Sequence, residues 1–329
     1  MRMNATQVIV VGSCNRDYAW RCERFPQPGE TRRALDFFSG AGGKGYNQAV
    51  ACRRQDVATC LIAALGEDDS AVLTQRNAAQ EQLDARWQIV PGERSGSACV
   101  LIDARGQNQI VVDLAANERL SAAHVKAQQT TFTTAQVVLT QLESDLAPVR
   151  AALVLARNHG ALALLNPAPV RPELDDALLS ACDVLIPNET EFATLLQRFA
   201  GLGIAADQLA TLADAELTAL AAHLPVASVV ITLGSAGCFI AHNGREWRGD
   251  DAASYRAASA PARVRDTTGA GDTFCGALAA AHARSPDAPL SICIAHANRC
   301  AALSTERDGA ASAAPRWSEV AQRYGTLIA

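Results

Sequence analysis

The stretch Val8-Ile9-Val10-Val11-Gly12-Ser13-Cys14-Asn15-Arg16-Asp17 runs from four continuous apolar residues into small and polar ones. A short apolar run without polar alternation suits a strand buried on both faces, as in a parallel sheet covered by helices. The pattern recurs at 59–65, 137–142, 161–165, 184–186 and 229–233. Stretches with helical spacing lie between these runs, at 47–53, 71–83, 146–157, 189–199 and 216–223. Strand and helix in alternation predict an α/β chain with a doubly wound, mostly parallel central sheet flanked by helices.

Two regions break this rhythm. Residues 16–39 hold two aromatic-dotted stretches on either side of Phe25-Pro26-Gln27-Pro28-Gly29, whose prolines and glycine mark a turn. Residues 97–115 read as a hairpin with arms at 98–102 and 109–114. Both are expected to join in a small β-sheet lid, inserted into a single domain that covers residues 1–329. The alanine-rich segment 200–214 is expected to be a surface loop or a short helix.

Composition narrows the function classes. The chain has 329 residues, 49% of them apolar, yet no run approaches the ~20 residues a membrane-crossing helix needs. Residues 1–7 lead straight into the first strand without a charged-then-apolar leader, so a cytoplasmic location is expected. A net charge of −5 with both signs interspersed offers no basic stripe for nucleic acid. Ten cysteines include no C-x-x-C, and Cys14, Cys52, Cys60, Cys99, Cys238 and Cys275 sit in apolar or glycine-rich runs. They are expected to be reduced, buried thiols. The six histidines are scattered, with no pair spaced for zinc.

Asp266-Thr267-Thr268-Gly269-Ala270-Gly271-Asp272-Thr273-Phe274 is the strongest local motif, followed by a small-residue helix at 275–283. Glycines before a helix let free amides converge at its positive end, which makes an anion site. A carboxylate in that first turn, Asp272, then lies where it can take a proton from a hydroxyl attacking a phosphoryl group. An Asp or Thr there is equally an ordinary helix cap, and the motif alone leaves the two readings even. Gly40-Ala41-Gly42-Gly43-Lys44-Gly45 matches G-x-G-x-x-G in form only, because no buried strand precedes it and Cys60 stands where an acidic partner belongs. A Walker A loop also fails: Phe38 occupies its first glycine and Gly45 its Ser or Thr. These glycines instead suggest close backbone approach to a polar ligand, with Lys44 and Asn47 as donors, or a hinge between lid and core. Asn15 and Asp17 follow the first strand, where α/β sheets bind ligands, though N-x-D alone is usually an Asx turn. Further polar clusters end later runs: Gln141-Leu142-Glu143, Asn166-Pro167, Pro187-Asn188-Glu189-Thr190-Glu191 and Thr232-Leu233-Gly234-Ser235-Ala236-Gly237. Their repetition at strand ends points to one crevice.

Taken in order, these motifs, with Phe25-Pro26-x-Pro28-Gly29-Glu30-Thr31 and Asn166-Pro167-Ala168-Pro169, resemble the ribokinase/PfkB family of carbohydrate kinases over nearly the whole chain. The resemblance implies that Asn15, Asp17, Gly43, Lys44, Asn47 and Glu143 hold a sugar. Asp272 would then deprotonate the hydroxyl that attacks the γ-phosphate of ATP, in the first instance the 5-hydroxyl of D-ribose. It implies nucleotide contacts from Asn188, Thr232, Gly234, Gly237, Gly269, Ala270, Gly271 and His296, and magnesium positioned by Glu191. A potassium ion is implied beside Asp266, Thr268, Ser304, Arg307 and Gly309, mostly through carbonyls, together with a homodimer clasped through the two lids. Three residues depart from the family pattern: Ala313 for a serine at the cation loop, Tyr46 for an alanine, and Ala115 for a glycine before Ala116-Asn117. The alternatives are another pentose, a ketohexose or a nucleoside as acceptor, and a sugar-binding sensor without catalysis.

Overall fold

The computed structural model describes residues 6–244 and 248–328; residues 1–5, part of the stretch read for a leader, lie outside it. Thirteen strands are present among the described residues: β1 (Val8–Val11), β2 (Asn15–Arg21), β3 (Asp36–Gly42), β4 (Thr59–Leu65), β5 (Asp84–Ile89), β6 (Gly96–Ile102), β7 (Asn108–Asp113), β8 (Val137–Thr140), β9 (Leu162–Leu165), β10 (Val184–Leu185), β11 (Ser228–Thr232), β12 (Cys238–His242) and β13 (Ser254–Ala257). Nine form one sheet in the order β13-β12-β11-β10-β9-β8-β1-β4-β5. The seven strands from β11 to β5 are parallel, and β12 and β13 extend the edge antiparallel.

The continuous apolar runs earn their burial on both faces. Val8 and Val10 face a layer that includes helices Lys44–Arg54, Ala270–Arg284 and Leu290–Ser304. Ile9 and Val11 face the opposite layer, with Leu146–Asn158, Glu189–Ala200 and Asp214–Ala221. Alternate side chains of one strand therefore serve two cores. The chain leaves β1 for β4 and β5 on one side and returns to β8 on the other, so the sheet's switch point lies at β1, where α/β folds open a crevice at the carboxyl ends.

The remaining four strands make a second, small sheet in the order β3-β2-β6-β7. The β2–β3 and β6–β7 pairs are antiparallel and β2–β6 is parallel. Its strand β3 reaches Gly42, so the first half of the glycine-rich stretch is strand and the helix begins only at Lys44. The segment 200–214 carries a short 3-10 helix, Ala206–Thr211. Run-based reading passes over β5, β12, β13 and helix Leu290–Ser304. It also carries β8 too far: the strand ends at Thr140, which frees Glu143 for the crevice. Nine of the ten cysteines are buried, whereas Cys99, expected inside, is exposed on β6, whose alternate residues face away from the core. Among the described residues no helix is long and apolar enough to cross a membrane.

Candidate active site

The carboxyl ends of the central strands and the inner face of the small sheet enclose a cleft of about 350 Å³, within the range of small-molecule sites. Asn15, Asp17, Gly43, Lys44, Asn47 and Glu143 all line it, and so does Asp272. From the later strand ends come Asn188, Glu191 and Thr232, and from the glycine turn Thr268, Gly269 and Gly271. Ala98, Val100, Asn108, Ile110 and Val112 of the small sheet close the cleft with a mostly apolar wall.

Local backbone demands explain the glycines. Gly43 has φ 87°, and a Cβ there would meet the Asn15 amide nitrogen at 2.7 Å. Gly45 approaches the backbone of Gly12 and Ser13 just as closely, so the helix start is pressed onto the end of β1. Gly269, at φ 71°, opens helix Ala270–Arg284, while the α-carbon of Gly271 faces open space. Amides in this first turn lack intrahelical partners and sit at the positive end of the helix dipole.

Asp272 is buried in this turn, its Oδ2 accepting from Asn47 Nδ2 at 2.9 Å and its Oδ1 from Gln48 Nε2 at 3.0 Å. Gln48 is in turn reached by Gln141 Nε2 and donates to Asn166 Oδ1 at 3.2 Å. These contacts depend on two helices crossing at Gly276, where a Cβ would meet Gln48 O at 2.4 Å. On the sugar-facing side as read from sequence, Glu143 Oε2 accepts from Ser13 Oγ at 2.6 Å and from the Lys44 amide at 3.1 Å. Asn117 Nδ2 donates to Asn15 Oδ1 at 2.8 Å, which turns the Asn15 amide so that its own NH2 is the free donor. Asn47 Oδ1 is buried without a hydrogen-bond partner.

A family model described as pfkB family carbohydrate kinase matches residues 5–317. The chain belongs to the pfkB family of carbohydrate kinases. It is 33% identical over 322 residues to the ribokinase of Schizosaccharomyces pombe, covering 95% of this chain and 96% of the relative. It is 31% identical over 281 residues to the deoxyribokinase of Salmonella typhimurium, covering 85% and 87%. The structure of Arabidopsis thaliana ribokinase complexed with ribose and ATP aligns with a TM-score of 0.79 at 28% identity, covering 97% of this chain and 98% of that one. The chain is thus a sugar kinase, a phosphotransferase built on the ribokinase-like α/β fold.

For a carbohydrate kinase, the charge pattern of the cleft is informative. Burial draws the Lys44 ammonium down, but Asp272, Glu143 and Glu191 around it outweigh that effect and hold it at about 12. Burial also raises the Glu191 carboxyl, against the pull of the Asn188 amide and Lys44. Glu191 and Asn188 form a reciprocal cap on helix Glu189–Ala200, with Asn188 N to Glu191 Oε2 at 2.9 Å.

Several residues read as site members lie off the cleft wall. Gly234 and Gly237 shape the turn after β11, where a Cβ on Gly237 would meet Ala257 O at 2.1 Å. Ala270 donates its amide to Thr267 O. His296 is buried against Gln55, whose Oε1 lies 3.0 Å from its Nε2, and against the Trp317 ring. Asp266 accepts from the Thr268 and Gly309 amides at 2.9 and 3.0 Å. Ser304 Oγ turns back to Ala301 O, and Arg307 pairs with Glu319. The motif reading missed Ser13, Gln48 and Asn117 as part of the site. Ser13 and Asn117 stood inside quoted motifs and Gln48 inside the helical stretch 47–53, but only the tertiary arrangement shows whom they touch.

Proposed function

We propose that this sugar kinase transfers the γ-phosphoryl group of ATP to the 5-hydroxyl of D-ribose. The observation that carries the reading is Asn47. Its Nδ2 donates to Asp272, and its Oδ1 is left buried and unpartnered in the same cleft, where a sugar hydroxyl can satisfy it. A hydroxyl seated there lies within reach of the base. The set is also complementary to a polyol: Asp17 and Glu143 accept, while Asn15 and Lys44 donate.

In the reaction, Asp272 takes the hydroxyl proton as the sugar oxygen bonds to the γ-phosphorus, and the bond to the bridging oxygen breaks to release ADP. The open first turn of helix Ala270–Arg284 and the Lys44 charge offset the negative charge on the transferred group. Glu191, with Asn188, fits a magnesium site because its partly buried carboxylate lines the cleft and retains lone pairs beyond the cap. Magnesium there would neutralise phosphate charge. Thr268 Oγ1 is buried without a partner beside Asp266, which fits an oxygen ligand for potassium. Arg21, 3.6 Å from Asp266 Oδ2 and paired with Asp308, already brings positive charge to that loop. We therefore expect potassium activation, but weak.

The small sheet acts as a lid over the sugar in this reading. Its exposed Phe37 and Val111, which do not line the cleft, support a homodimer in which two such sheets meet. The test is ADP release with a panel of D-ribose, 2-deoxyribose, other pentoses, ketohexoses and nucleosides, run in potassium and in sodium. D-ribose is expected to give the highest kcat/KM. A higher value for deoxyribose or a nucleoside would reassign the acceptor.

A further inference from the structure

We infer that Gln48 is a positioning residue that fixes the orientation of the catalytic carboxylate; this rests on the reading of Asp272 as the base. Gln48 is fully buried and sits one residue past the sugar-binding Asn47. Its amide meets three partners from three different elements. Nε2 donates to Asp272 Oδ1 at 3.0 Å and to Asn166 Oδ1 at 3.2 Å, and Oε1 accepts from Gln141 Nε2 at 2.5 Å. Asn166, after β9, is itself fixed by donating to Ile186 O at 2.9 Å.

The direction of this chain follows from chemistry. A carboxylate base only accepts, so Gln48 must turn its NH2 toward Asp272. Gln141 enforces that choice by occupying the oxygen end. Gln141 itself has room only because residue 12 is glycine: a Cβ there would meet its Oε1 at 1.9 Å. With Asn47 on Oδ2 and Gln48 on Oδ1, the Asp272 carboxylate cannot rotate, and each oxygen keeps a lone pair for the incoming hydroxyl proton. A base held in one orientation keeps the near-attack geometry on which rate depends steeply.

Gln48→Met, close in volume but without donors, tests this. We expect kcat to fall on the order of 10- to 100-fold with KM for the sugar within about twofold. Gln141→Met should lower kcat by less, again with KM little changed. Thermal melting of each variant identifies the folded fraction to which the rates are normalised. Normal kcat in folded Gln48→Met overturns the inference, as does a loss confined to KM. Asp272→Asn in parallel separates the two claims. Near-normal turnover there removes the base itself, whereas an inactive Asp272→Asn beside a normal Gln48→Met removes only the role of Gln48.

Discussion

Asp17 and Asp272 line the same cleft, and their carboxylates are held in opposite ways. Asp272 receives one amide donor on each oxygen and stands in the first turn of a helix. Asp17, on β2 of the small sheet, presses against Gly42, where a Cβ would meet its Oδ2 at 2.0 Å. Among the described residues no donor reaches the Asp17 carboxylate, and burial, with Glu143 and Asp272 nearby, pushes its carboxyl up to about 7. One aspartate is complete before any ligand arrives; the other is incomplete until hydroxyls supply its hydrogen bonds. The first arrangement suits a base that must not move, and the second suits recognition.

Asp17→Asn should separate the two most widely. KM for the sugar is expected to rise roughly 10- to 100-fold, the scale of a lost hydrogen bond to a charged group, with a smaller change in kcat. Equal loss of kcat at saturating sugar would erase the distinction. The raised carboxyl also fixes the sign of a pH effect. Its folded pKa lies above the unfolded value, so the stability it contributes is present below about 4 and is lost as pH rises toward about 7. The Asn variant should therefore melt higher than the parent at pH 8, with the gain fading by pH 4. KM of the parent should rise as pH falls below 7, where Asp17 stops being a charged acceptor. Melting curves and initial rates across pH 5–9 check both.

A smaller effect is expected at the edge of the small sheet. Arg21 joins β2 to the loop that holds Asp266 and Asp308. Arg21→Ala should lower turnover only a few-fold, in keeping with a partly exposed ion pair, and should enlarge the ratio of rates in potassium and sodium. An unchanged ratio would show that the guanidinium does not share the role of the ion.

Much of this was legible in the sequence, for reasons particular residues make plain. β1 and β4 appear where continuous apolar runs stand, since strands buried on both faces cannot alternate. The half-exposed β5 offers no such run. Asp272 was visible as a carboxylate after two glycines, but the choice between cap and base needed neighbours. Those neighbours, Asn47 and Gln48, reach it only because Gly276 lets two helices touch, a contact between residues more than two hundred apart that no local pattern encodes. The three departures from the family pattern found uneven meaning. Ala115 adopts φ 41°, a left-handed conformation that costs a non-glycine residue about 1 kcal/mol or more. Tyr46 is buried beside the cavity behind Asp17. Ala313 is buried in the 3-10 turn Ala311–Ala313.

The decisive measurement is Asp272→Asn, assayed for ADP release with D-ribose and, separately, for ribose affinity by calorimetry. Turnover should fall ~10²- to 10⁴-fold, the usual cost of removing a general base, while the dissociation constant stays within a few-fold. Near-normal turnover, or a loss explained wholly by weaker sugar binding, would contradict the role given to Asp272.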